Sequence, residues 1–231
     1  MNILNKEISK NNKRVIPTNK KNETDALDEE SQTPEKDISQ PYRMKKTRSR
    51  RSKELLDLIY ISMFTAIIAV CSQICIPTPP GIPPVTLQTF AVIAAGGLLG
   101  WKRGTASVLI YILLGVIGIP VFSQFSAGPE TLIGMTGGYI IGFIFTTLVT
   151  GILCEKLGRK VWVLIASMTL GILLCYAFGT AWFMVVYAQK AGAISLGGAL
   201  GLCVLPFIPF DAGKIAAAVL LVNRLDKHVK L

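Results

Sequence analysis

Six apolar runs dominate the chain, at about 56–76, 85–100, 104–122, 133–154, 161–187 and 195–222. Most match the length a helix needs to cross the hydrocarbon core of a bilayer, about 20 residues at 1.5 Å rise. Lipid offers no water to an exposed N–H or C=O, so such segments must satisfy their backbone groups internally, as helices do. The expected fold is therefore all-α and integral to the membrane, with six transmembrane helices. Composition agrees: 51% of residues are hydrophobic, 16% are charged and mean hydropathy is +0.51, values foreign to a soluble domain. The second run is short for a full span, and the long sixth is interrupted by Pro206 and Pro209.

Charge placement sets an expected orientation. Inner loops would carry Lys102 and Arg103, then Lys156, Arg159 and Lys160, then Arg224, Lys227 and Lys230, whereas outer loops would carry only Lys190. Cations favour the cytoplasmic side, so both termini are expected inside, in the cell membrane. Residues 1–53 hold 14 of the 24 Lys and Arg and 8 of the 14 Asp and Glu, so +6 of the chain's +10 lies there. This segment lacks apolar periodicity and is expected to be a disordered basic tail. Its basic residues are not interleaved with aromatics, and nucleic-acid binding is not expected. Met44 opens MKKTRSRRSKELL, which would itself make an ordinary start for a membrane protein; an ordinary internal methionine is the other reading. Residues 54–225 form the expected membrane domain and 226–231 a cytoplasmic tail.

The five cysteines, Cys71, Cys75, Cys154, Cys175 and Cys203, lie in or beside apolar runs without histidine nearby. They read as small hydrophobes, with no metal and no cofactor. Glycines four apart, such as Gly134, Gly138 and Gly142, let helices approach closely in lipid. Ser62, Ala66 and Val70 make a small-residue stripe on the first span, which packs internally or receives a partner's helix.

The chemistry concentrates in LPFIPFDAGKIAAAVLL. An ionisable side chain within a span costs roughly 2.5–3.5 kcal/mol on insertion scales and is a functional candidate by default. Asp211 and Lys214 lie well inside the sixth run and, three residues apart, share a helix face. Pro206 and Pro209 should break that helix, leaving Asp211 where an N-cap of the restarted helix would sit. A carboxylate beside an ammonium suits a urea-like group, accepting from its N–H and donating to its carbonyl. In the alternative, Asp211 caps the broken helix and pairs with Lys214 without a ligand. Gln88, with Thr86 and Thr89, follows the Pro-rich segment PTPPGIPP. The Gly-rich stretch 118–142 is a candidate re-entrant lid. An enzyme is not expected: there is no GxxxxGK[ST] phosphate loop, and the one histidine, His228, lies in the C-terminal tail. A stand-alone ion-coupled transporter would need more deep carboxylates than Asp211 alone, and a membrane scaffold would use the pair only to join helices.

VTLQT after the Pro-rich loop, then GIPVF, MTGGYIIGF and PFIPFDAGK, in that order between about residues 54 and 225, resemble the BioY family. These are the biotin-binding S components of energy-coupling factor (ECF) transporters. The resemblance implies six helices around an extracellular-side pocket, with Asp211 and Lys214 contacting biotin and a lid over residues 120–138. The implied ligand-contacting set also includes Gln88, Thr86, Gly138, Tyr139 and Trp182. Ile140 stands where some members carry an arginine, so Ser126, Tyr139 or backbone N–H groups would take the ligand's carboxylate. The implied partners are an ECF transmembrane coupling protein, docking on Ser62, Ala66 and Val70, and two ATPase subunits. An S component for another vitamin is the alternative.

Overall fold

The computed structural model describes residues 44–76, 78 and 83–228. Most of the expected tail, residues 1–43, lies outside the described residues, as does its C-terminal counterpart beyond His228. The first helix, α1 (Met44–Gln73), begins well before position 54, correcting the expected boundary. No Gly or Pro interrupts 44–73, and Lys and Arg are good helix formers, so the basic segment simply continues the helix. Arg50 and Glu54 pair at i,i+4 on its exposed surface.

After α1 come two short strands, β1 (Cys75–Ile76) and β2 (Val85–Thr86), paired antiparallel with Cys75 opposite Thr86. They are a small addition to the all-helical expectation. The remaining elements are α2 (Gln88–Ile117), a 3-10 turn at Ser123–Phe125, α3 (Pro129–Ile133), α4 (Gly137–Leu157), α5 (Val161–Ala191), α6 (Leu196–Cys203) and α7 (Ile208–His228). Among the described residues, four helical segments, 50–73, 88–117, 137–157 and 161–190, are long and apolar enough to cross a membrane. A further apolar stretch is the pair α6 and α7, bent by 51°. The protein is an integral membrane protein of helical architecture.

The runs expected at 85–100 and 104–122 are joined in α2, with no loop at Lys102 and Arg103. The helix breaks only at Gly100, whose φ of +76° and ψ of −176° are open to glycine alone. Beyond it the chain turns back on itself: a Cβ on Gly104 would meet Ala95 O at 2.9 Å, although nine residues of straight helix would separate them by about 13 Å. The break frees backbone groups, and side chains satisfy them. Glu155 Oε1 accepts from Trp101 N–H at 3.2 Å, and Arg159 Nη2 donates to Leu98 O at 2.7 Å. Arg159 also pairs with Asp226 near the end of α7. The bend, the α4–α5 connection and α7 are thereby tied at one end of the bundle. The third run ends at Ile117, not 122, because Gly118 at φ +109° caps the helix.

α4 is the hub of the packing, lying between α2 and α5. Its threonines glue the helices: Thr146 Oγ1 donates to Gly142 O and Gly171 O, both at 3.0 Å, and Thr150 Oγ1 to Ser167 O at 3.3 Å. One core group collects Phe64, Ile93, Leu164, Met168 and Val222, and another Ile68, Val92, Tyr111, Phe122 and Phe143. Cys71, Cys154, Cys175 and Cys203 are buried free thiols and Cys75 is half-buried, as apolar surroundings suggested.

Candidate functional site

A cavity opens where α2, α4, α5, α6 and α7 converge, and its polar wall is the Asp211–Lys214 pair. α7 starts at Ile208, so Pro209 falls in its first turn, where a missing N–H costs nothing. Asp211 is therefore not the N-cap expected from sequence. Its own N–H already donates to Phe207 O at 2.8 Å, and its side chain is turned to other helices instead of the backbone. Lys214 Nζ lies 2.7 Å from Asp211 Oδ1, with the two side chains only 10% and 5% exposed. The bend between α6 and α7 carries both groups into the bundle.

Two further residues complete the network. Thr89 Oγ1, from the first turns of α2, donates to Asp211 Oδ1 at 3.1 Å and accepts from Lys214 Nζ at 3.0 Å. The Tyr176 hydroxyl, from α5, donates to Asp211 Oδ2. The buried charges are thus paired and hydrogen-bonded, the condition on which buried ions are tolerated. The rest of the lining is apolar or weakly polar: Tyr139, Phe143 and Thr146 from α4, Ile172 and Cys175 from α5, Cys203 and Phe207, with Pro83, Pro84 and Thr86 along one side. The β1–β2 ladder holds Thr86 there. A carboxylate and an ammonium side by side in a mostly apolar cavity fit a small polar head group on an apolar body.

Of the residues singled out from sequence, the cavity brings together Asp211, Lys214, Thr86, Thr89 and Tyr139. It does not bring in Gln88, Ser126, Gly138 or Trp182. Gln88 is buried, 4% exposed, and its side chain is not part of the cavity lining. It adjoins Thr89 in sequence, and on a helix adjacent residues face about 100° apart. Ser126 turns its hydroxyl back to Ser123 O at 2.8 Å. Gly138 leaves room for a side chain of α5: a Cβ there would lie 2.3 Å from Trp182 Cβ. Trp182 donates from Nε1 to Gly134 O at 3.1 Å, tying α5 to the segment before α4. Both are packing positions in this structure.

The candidate lid, residues 120–138, is ordered against α1 and α2. Gln73 donates to Phe122 O at 2.9 Å and accepts from Phe125 N–H at 3.0 Å, while Gly128 N–H donates to Gly115 O at 2.8 Å. Gln124 and Phe125 both have positive φ, 58° and 56°, uncommon for non-glycine residues. On α1, Ser62, Ala66 and Val70 are all exposed, and Ser62 and Ala66 line a groove with Ile110 and Leu114 of α2.

Thr89 was singled out beside Gln88 and Thr86 but not placed among the ligand-contacting residues, although its hydroxyl is the one that reaches the ion pair. Tyr176 was missed: in GILLCYAFG there was no signal, because a tyrosine in an apolar run ordinarily reads as core.

Comparison with known proteins follows the same line. The family model described as "BioY family" matches residues 44–231. The biotin transporter BioY of Thermotoga maritima is 41% identical over 170 residues, covering 74% of this chain and 95% of the relative. A probable biotin transporter BioY of Pyrococcus horikoshii is 42% identical over 167 residues, covering 72% and 93%. A crystal structure of the S-component for biotin from an ECF-type ABC transporter superposes with a TM-score of 0.66 at 30% identity, covering 76% of this chain and 93% of that one. The chain belongs to the BioY family.

Proposed function

We propose that this protein is the biotin-binding S component of an ECF-type importer, and that it captures biotin in the cavity walled by Asp211 and Lys214. The observation that carries the reading is the buried ion pair itself, facing an otherwise apolar cavity. A ureido ring presents N–H donors beside a carbonyl acceptor. Asp211 accepts from an N–H, Lys214 donates to the carbonyl, and the lining of Phe143, Ile172 and Phe207 receives the apolar remainder. Tyr139 and Thr86 are the polar groups left for the ligand's far end. The space open to water-sized groups in the cavity is about 60 Å³, room for only a few waters. Admitting a bicyclic ligand therefore goes with some parting of the lining side chains.

The break at Gly100 divides α2 into two crossing arms and, with α6 and α7 counted as one bent span, gives six. The arm before Gly100 is short, about 18 Å for 88–99, and it ends at the tie among Glu155, Arg159 and Asp226. That end carries most of the loop cations and is the cytoplasmic one, with both termini inside. The cavity then opens outward under the Pro-rich segment and the lid at 120–138. The exposed small residues Ser62 and Ala66 in their groove suit close approach by a helix of a transmembrane coupling protein, itself driven by two ATPase subunits.

The test is a ligand panel on the purified protein in detergent. Saturable one-to-one binding of biotin, undisturbed by excess of other vitamins, is expected. Preference for another vitamin, or no binding of any, refutes the reading.

A further inference from the structure

Asp211 has about four lone-pair positions on its two carboxylate oxygens. Lys214 and Thr89 both donate to Oδ1 and fill it, while among the described residues Tyr176 alone donates to Oδ2. Held at Oδ1 only, the carboxylate could still turn about its terminal torsion, which is broad for aspartate. A donor on the second oxygen fixes the plane. Tyr176 is suited to this because its ring packs against the apolar core that includes Met168 and Ile172, which holds its hydroxyl in place from a different helix. We infer that Tyr176 is a positioning residue: its hydroxyl fixes the plane of the Asp211 carboxylate, so that the one lone pair left on Oδ2 is presented to the ligand's N–H. This rests on the reading of the cavity as the biotin site.

The consequence is a binding site with a single free acceptor beside a donor, set by three helices acting on one carboxylate. Tyr176→Phe removes one oxygen and keeps the ring. Biotin affinity of the variant should fall roughly 10- to 100-fold, the scale of a hydrogen bond to a charged group. Two arms separate positioning from packing and from direct contact with the ligand. Replacing Tyr176 with 4-aminophenylalanine restores a donor at the same place and should return affinity to within about threefold of wild type. In an Asp211→Ala background, where there is no carboxylate to hold, adding Tyr176→Phe should change affinity by less than about twofold. The inference is overturned if Tyr176→Phe binds as wild type, if the amino analogue binds no better than Phe, or if the loss persists without Asp211. If the Asp211→Ala protein does not fold, Asp211→Leu/Lys214→Met supplies the background without a carboxylate, and the same comparison is made there. Wild-type protein that binds no biotin refutes the site reading itself, a result distinct from all of these.

Discussion

Replacing both members of the buried ion pair separates structure from function more sharply than replacing either. Lys214 Nζ stands 2.7 Å from Asp211 Oδ1 and 3.0 Å from Thr89 Oγ1. Lys214→Met leaves a buried carboxylate facing only the hydroxyls of Thr89 and Tyr176, and Asp211→Leu strands the ammonium. Breaking a buried pair from one side costs about 3–5 kcal/mol. The double variant Asp211→Leu/Lys214→Met strands no charge, and apolar replacement of a whole pair is neutral or stabilising by about 1–4 kcal/mol. Against that, the hydroxyls of Tyr176 and Thr89 both lose their acceptor, at about 1–3 kcal/mol each. The double variant should therefore lie about 2 kcal/mol below wild type, less far than either single variant. Binding should follow the opposite pattern. Loss of one charge-assisted hydrogen bond costs about 2–4 kcal/mol, or 30- to 1,000-fold, and the double variant loses both. Denaturant unfolding in detergent, followed by tryptophan fluorescence, reads the stability, and labelled biotin reads the affinity. A double variant that binds biotin like wild type would remove the pair from the site. One as unstable as the two singles combined would show that these residues hold the helices through something other than each other.

Three further outcomes are expected. Ala66→Trp, in the exposed groove on α1, should abolish uptake by cells while leaving biotin binding by the isolated subunit within about twofold; equal loss of both would place the stripe inside the fold. Gly100→Ala puts a Cβ 2.0 Å from Glu155 Oε1 at a φ of +76° and should destabilise by about 2 kcal/mol or more in unfolding experiments, so an unchanged midpoint would deny the bend. Single cysteines in an otherwise Cys-free protein should react with an impermeant reagent from outside at Gln124 and Gln189 but not at Lys156, and the reverse pattern would invert the topology.

What the sequence revealed, and what it hid, divides by how unusual each residue is in its setting. Asp211 and Lys214 were legible because charge inside an apolar run is costly and therefore rare. Their joint presence beside two prolines marked out the candidate site before any geometry. The break at Pro206 and Pro209 was legible too, but not where the helix resumes: proline fits the first turn of a helix as well as the gap before it, so Asp211 landed inside α7 instead of capping it. Gly100 was hidden for the converse reason. Lys102 and Arg103 read as a loop by charge, yet a single glycine at positive φ suffices to turn the chain, and both cations remain helical. Gln88 drew attention as the most polar residue of its segment, whereas Thr89, one position on and less polar, faces the ion pair. Polarity flagged the segment, but helical phase decided which residue reaches the site, and phase became certain only once Asp211 supplied the reference point. Tyr176 shows where sequence reading ends. Nothing in GILLCYAFG distinguishes a core tyrosine from one whose hydroxyl meets a carboxylate 35 residues away. That function belongs to the packing of α5 against α7, and it exists only when the bend between α6 and α7 has already brought Asp211 inward.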